Sequence, residues 1–252
     1  MWVSAEIPLP AGLLVGCTVT TGGVSSGIYA ESNMALHVGD NASAVNENRR
    51  ILQQRLGYTQ VQWLEQVHGN HCIEARFADA GELPEVPVVA PEADASWTTE
   101  TGLALAVLTA DCVPVLLWSE QTRAIAAVHA GWRGLQQKVL QLSMAAVGEP
   151  PSQLCAWIGP CISAGHYEVG EDVWGHFKAD YPACLFPHPE QDGKRLLDLP
   201  AVAQAQLNRA GVTRVYQSNW CSFADPRFYS YRRSFLRGGE TGRMASIIAR
   251  LN

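Results

Sequence analysis

LALAVLTADCVPVLLWSEQTRAIAAVHAGWRGLQQKVLQLSMAAVG, residues 103–148, is the stretch on which the fold class turns. It holds three short apolar runs, LALAVLT (103–109), VPVLLW (113–118) and AIAAVH (124–129). A strand wetted on one face alternates apolar and polar residues. A run that is apolar at every position suits a strand covered on both faces. The period then changes. Across 133–148, Leu135, Val139, Leu142 and Ala146 recur about a helical turn apart, and Gly148 stands where a helix would stop. That spacing predicts one helix with a single buried stripe. Doubly covered strands running into a helix place the chain in the α/β or α+β class, with a mixed sheet.

The flanks extend the same pattern. GLLVGCTVT (12–20) reads as a strand and TGGVSSG (21–27) as a loop whose glycines can take positive φ and approach a ligand closely. Residues 40–57 read as a helix capped by Asn41 or Ser43, with Glu47 in its first turn and Gly57 after its end. VQWLEQV (61–67) reads as a strand that delivers His68 at its end. Residues 78–92, with Pro84, Pro87 and Pro91, read as a surface loop rather than a domain linker, because core-like strands resume at once. Further on come a strand at 154–159, a turn at 159–165, helices near 171–180 and 198–210, and strands near 212–217 and 243–249. With no internal repeat, the expectation is one domain over residues 1–252.

Composition narrows the function classes. Of 252 residues, 47% are hydrophobic and 17% charged, an ordinary globular balance. The formal charge of −6 argues against a nucleic-acid partner, which would call for a basic excess; Arg232 and Arg233 are too small a patch to supply one. The seven cysteines are odd in number and contain no C-x-x-C pair, so they are expected to be reduced in a cytoplasmic protein. No basic segment followed by an apolar one opens the chain, so no signal peptide is expected. No apolar run reaches the length needed to span a bilayer, and 103–118 is broken by Asp111 and Pro114.

The chemistry gathers at the strand ends. LEQVHGNH (64–71), TADCVPVLL (109–117) and AVHAGWRG (127–134) each put metal-ligating side chains at the edge of an apolar run. His68, Cys112 and His129 would offer two imidazole nitrogens and a thiolate, the donors zinc prefers. Three protein ligands leave a fourth position open, the pattern of a catalytic site. Asp111, beside Cys112, could orient a ligand or carry a proton. Gly131 would let the backbone pass close to a substrate. Arg133, in the first turn of the next helix, suits a phosphate or carboxylate, or else a surface ion pair. His71 is set aside, because three residues along a strand it points away from His68. Trp132 reads first as packing, with a stacking platform for a planar ring such as a purine as the alternative.

Taken together, LEQVHG (64–69), TADCVPVLL (109–117), HAGWRGL (129–135), IGPCIS…YEVG (158–170) and FYSYRR…TGRMAS (228–246) resemble the YfiH/laccase-domain family, whose members are described both as multicopper polyphenol oxidoreductases and as purine nucleoside phosphorylases. The blocks run in the family's order over nearly the whole chain. The resemblance implies zinc on His68, Cys112 and His129, with copper as a substitute. It implies a layered α/β/β/α fold with mixed sheets, similar to a bacterial toxin's deamidase domain. It implies phosphorolysis of adenosine, inosine and 5′-methylthioadenosine to free base and ribose 1-phosphate, and deamination of adenosine. The partners implied are small molecules, a purine nucleoside and phosphate. One position departs from the pattern: Thr20 stands where the family often has an arginine before G-G-V-S, so phosphate would fall to Arg49 or Arg133.

Other chemistries compete. Cys112 and His129 could form a thiolate–imidazole pair for amide hydrolysis, as in editing of cell-wall precursors. Two histidines and a cysteine are also the donors of a blue-copper centre. A full multicopper oxidase needs a second, histidine-rich cluster, and the chain has seven histidines with no H-x-H pair. A zinc-stabilised binding module is the non-catalytic reading. The preferred nucleoside and the oligomeric state are not legible in the sequence.

Overall fold

The computed structural model describes residues 1–77 and 90–251. In chain order its strands are β1 (Trp2–Ser4), β2 (Leu13–Thr18), β3 (Gln60–Gln62), β4 (Cys72–Glu74), β5 (Ala95–Thr98), β6 (Leu103–Thr109), β7 (Val113–Ser119), β8 (Ile125–Ala130), β9 (Leu154–Ile158), β10 (Glu168–Val169), β11 (Leu185–Pro187), β12 (Arg195–Leu197), β13 (Arg214–Gln217) and β14 (Met244–Arg250). The α-helices are α1 (Ala42–Leu56), α2 (Trp132–Gln136), α3 (Val139–Val147), α4 (Glu171–Trp174), α5 (Leu199–Ala210) and α6 (Tyr231–Phe235).

Two large mixed sheets make up the centre. One has the order β1-β2-β14-β6-β3 and the other β13-β9-β7-β8-β5-β4, with β10-β12-β11 as a small third sheet. The pairs β3/β6, β4/β5 and β9/β13 are parallel and the remaining ladders of the two large sheets antiparallel. Three apolar clusters separate the layers. Leu52 of α1 packs on Ala104, Ala106 and Ile247 of the first sheet. Leu105 and Val107 meet Leu116, Trp118 and Trp157 between the sheets. Leu140, Val147, Val202 and Leu207 of α3 and α5 cover Val115, Leu117, Ala126 and Val128 of the second sheet. The order is therefore α/β/β/α, as the resemblance implied. Along β6, odd positions face the other sheet and even positions face α1, which is why this strand shows no alternation.

Several elements differ from their sequence reading. The helix predicted at 133–148 is two helices, because Lys138 takes a left-handed conformation (φ 64°) between α2 and α3. The break resets the helical phase, so Val139, Leu140, Ser143, Met144 and Val147 form the buried face and Leu142 is 46% exposed. The strand predicted at 61–67 ends at Gln62; beyond it the chain makes only a single bridge, Glu65 to Glu92. The helix expected near 171–180 has its α-helical part at Glu171–Trp174 and continues in turns anchored by buried Phe177. Asn41 caps α1 as expected, but the first turn holds no acid; Glu47 lies a turn later and pairs with Arg50. Gly22 and Gly27 have positive φ. The close approach of the 21–27 loop, however, is to the chain itself: a Cβ on Gly23 would collide with the side-chain oxygen of buried Asn48. Of the loop read at 78–92, residues 78–89 lie outside the described residues.

Candidate metal centre and its cavity

The two large sheets are linked at one end by three residues. β6 belongs to the first sheet and β7 to the second, and Ala110, Asp111 and Cys112 span the gap. So sharp a crossing needs an unusual backbone, and Asp111 supplies it with φ 98°, a conformation costly for any residue but glycine. Its carboxylate is held from both sides. Ser222 Oγ donates to Oδ1 at 2.6 Å, and the Arg232 backbone N–H, at the start of α6, donates to Oδ2 at 2.7 Å. Cys112 thereby turns its thiol into the space where the sheets part.

The two histidines reach the same space by different routes. Along β8, Ile125 and Ala127 face the other sheet, and His129, two residues on, shares that face at 3% exposure. His68 sits in a left-handed turn (φ 61°), not at a strand end. The donor atoms of His68, Cys112 and His129 all lie within 4.8 Å of one another, with Cys112 Sγ 3.9 Å from His68 Nε2. Tetrahedral donors on a zinc ion stand about 3.5 Å apart, so a shift of about 1 Å by the exposed His68 ring closes the cage. Gly131 makes room for this. A Cβ there would come within 3.2 Å of both Cys112 Sγ and His68 Cδ2, so its smallness serves the ligands rather than a substrate.

One acid absent from the sequence reading organises the triad. Asp94, fully buried at the head of β5, lies 2.7 Å from His129 Nδ1 through Oδ1. The same carboxylate accepts the backbone N–H groups of Val67, His68 and Gly69 at 3.3, 3.0 and 2.6 Å. Burial alone would raise its pKa. The bond to His129, the charge there and the turn's N–H groups outweigh burial and hold it below the usual carboxylate range. Burial likewise opposes ionisation of Cys112, but the charge on His129 and hydrogen bonds from both imidazoles prevail and draw the thiol down. A site that favours thiolate and sets two imidazoles beside it suits a borderline-soft metal ion.

The triad opens onto a cavity of about 390 Å³. Asp111 and Trp132 line it, and so do His37, Tyr167, Tyr231, Arg232 and Arg243, none of which the sequence reading placed in the site. Arg243 is tied through Nη1 to the carbonyls of Thr241 and Gly242 and through its backbone N–H to Asn33 Oδ1, and its other guanidinium N–H groups have no hydrogen-bond partner among the described residues. Arg232 reaches the Glu168 carbonyl and lies over the Tyr167 ring. The arginines expected to bind phosphate stand elsewhere. Arg133 is exposed beside Trp132, and Arg49 bonds the Met34 carbonyl and stacks on Trp63; neither lines the cavity. Thr20 bonds the Pro226 carbonyl, also outside it. His71 bonds the Glu92 carbonyl and is not grouped with the triad, but residues 68–71 form a turn rather than a strand, so the strand geometry that set it aside does not hold. The signal for Arg232 and Arg243 lay in FYSYRR and TGRMAS; for Asp94 it was no more than an acid between two alanines, Ala93 and Ala95.

The chain matches the family described as multi-copper polyphenol oxidoreductase laccase over residues 14–251. It is 37% identical over 250 residues to a purine nucleoside phosphorylase of Pseudomonas aeruginosa, covering 98% of this chain and 97% of that one. It is 35% identical over 243 residues to the purine nucleoside phosphorylase YfiH of Escherichia coli K12, covering 96% and 95%. Among solved structures, a DUF152 protein of Neisseria meningitidis superposes with a TM-score of 0.89 at 41% identity, covering 100% and 99%. YlmD of Geobacillus stearothermophilus gives 0.89 at 31% identity, covering 100% and 96%.

Proposed function

Because the chain belongs to the YfiH/laccase-domain family, we propose that it is a metal-dependent enzyme that cleaves purine nucleosides with phosphate, and deaminates adenosine in the same cavity. The observation that carries this reading is the shared cavity. Cys112, His68 and His129 line the same 390 Å³ as Arg232 and Arg243. The volume falls within the roughly 300–1,000 Å³ of small-molecule sites. Two arginines there call for an anionic reactant, which phosphorolysis has and oxidation of a neutral phenol lacks.

Zinc on His68, Cys112 and His129 would supply Lewis acidity and a bound water of lowered pKa. The chain's own groups do the rest. Arg232 and Arg243 hold phosphate, the role first assigned to Arg133 and Arg49. Phosphate oxygen bonds to the anomeric carbon as the C–N bond breaks, and the base leaves with the electron pair and gains a proton. Positioning and electrostatics carry most of such a step. The purine is assigned to the aromatic part of the lining, Tyr167, Tyr231 and Trp132, and the proton to Asp111 on the cavity wall.

The donor set favours a second reading. Two imidazoles and a thiolate suit copper at least as well as zinc, and the family description names a laccase. Among the described residues only this one triad groups three metal-ligating side chains, which fits a single copper centre rather than a multicopper chain. One assay separates the two, along with the thiolate hydrolase. Zinc-loaded and copper-loaded protein are each given adenosine with and without phosphate, and a phenol. Phosphate-dependent release of adenine and ribose 1-phosphate by the zinc form is the expected result. Phenol oxidation by the copper form with no phosphorolysis by either would establish the oxidase. Activity that survives chelation but not alkylation would establish the thiol enzyme.

A further inference from the structure

We infer that Asp94 is the positioning residue of the metal centre: one buried carboxylate sets the tautomer of His129 and the backbone turn that presents His68. The inference rests on the metal-centre reading and is independent of the substrate. An ionised carboxylate only accepts hydrogen bonds, so at 2.7 Å it obliges His129 Nδ1 to keep its proton. The lone pair left for a metal is then on Nε2. The same oxygens accept three consecutive backbone N–H groups, from Val67, His68 and Gly69. Those bonds hold His68 in a left-handed conformation that a histidine does not adopt by preference. The Asp94 carbonyl also accepts the His129 backbone N–H at 2.7 Å, which registers β5 against β8. Among the described residues, His129 is the only ion-pair partner of Asp94, so its charge is committed to this arrangement.

Asp94→Asn tests it with almost no change of shape. An amide has one acceptor oxygen. If that oxygen faces His129, the –NH₂ opposes the N–H groups of the turn. If it faces the turn, the –NH₂ donates to His129 Nδ1 and moves the imidazole proton to Nε2, as an amide does beside a catalytic histidine. Either arrangement spoils one ligand, so zinc affinity, measured by chelator competition, is expected to fall roughly 10–100-fold. The cobalt-substituted variant should keep its thiolate-to-metal band but show altered visible ligand-field bands, which a loss of general stability would not produce. A second measurement needs no variant: nitrogen-15 imidazole spectra of zinc-loaded wild-type protein should show His129 protonated at Nδ1 and bound through Nε2. Zinc binding by the Asp94→Asn variant within twofold of wild type, or metal on His129 Nδ1, would overturn the inference. Wild-type protein that takes up no zinc or cobalt would overturn the metal centre with it. Absence of phosphorolysis alone would count against the proposed reaction and leave Asp94's role standing.

Discussion

Cys112 is the residue on which the centre depends most, and a serine in its place would keep the size and lose the chemistry. The hydroxyl stays protonated where the thiol ionises, and a soft donor is exchanged for a hard, neutral one. Cys112→Ser is expected to lower zinc affinity at least about 100-fold, more than a supporting residue costs, as elemental analysis after dialysis would show. A variant that retains stoichiometric zinc would remove Cys112 from the ligand set. Gly131 gives a subtler test. In Gly131→Ala the new methyl stands 3.2 Å from two ligands, tighter than ordinary contact, while the backbone (φ −70°) accepts alanine without strain. Metal affinity should fall by about tenfold while the unfolding midpoint moves little. Equal loss of both would mean that the glycine serves the fold and not the centre. At this scale the spacing offered the three donors as candidates, and the resemblance of their motifs to a known family singled them out. The sequence hid Asp94, because a carboxylate that matters through backbone N–H groups leaves no mark on spacing.

Elements were legible where a local rule governs them. Asn41 accepts the N–H groups of Ser43 and Ala44, and Gly57 closes α1 in a left-handed conformation, both as short-range rules foresee. Asn41→Ala should cost about 1 kcal/mol in urea unfolding. The α2–α3 break shows the limit of such rules. Lys138 carries φ 64° with no glycine to mark it, so the apolar pattern reads as one helix across 133–148. Packing decides otherwise. Gly134 lies against the His129 and Gly69 carbonyls, α2 hugs the site, and α3 must swing to lie along β4, β5 and β8. Lys138→Gly relieves the left-handed cost of a side chain, of about 1–2 kcal/mol, against a smaller loss of chain entropy. A net gain of about 0.5–1 kcal/mol is expected. A destabilised variant would mean that the lysine stem contributes packing the break depends on.

At the scale of the whole molecule, the centre ties the two sheets together. Cys112 lies in the link between them, His129 on the second sheet, and His68 on the chain that leaves β3 of the first. A ligand that binds such a seam only in the folded state stabilises the fold by mass action. Free zinc at about 100 times its Kd is worth about 2.7 kcal/mol. For a chain of this size that is an upward shift in Tm of roughly 5–10 °C. Chelator should reverse it, and Cys112→Ser protein should not respond. A wild-type Tm indifferent to zinc would break the link between centre and fold. No helix among the described residues is long and apolar enough to cross a membrane. Local spacing and side-chain type were enough to reveal the doubly covered strands and the cap and stop of α1, and to offer His68, Cys112 and His129 as candidate donors, since each follows from contacts a few residues apart or from the chemistry of one side chain. Packing in three dimensions was needed to put β6 and β7 in different sheets, to set Asp94 beneath two ligands, and to turn Arg232 and Arg243 rather than Arg133 and Arg49 toward the cavity. Those pairings join residues far apart in the chain, and they are selected by how two sheets and their helices fill space together, for which one chain's spacing holds no record.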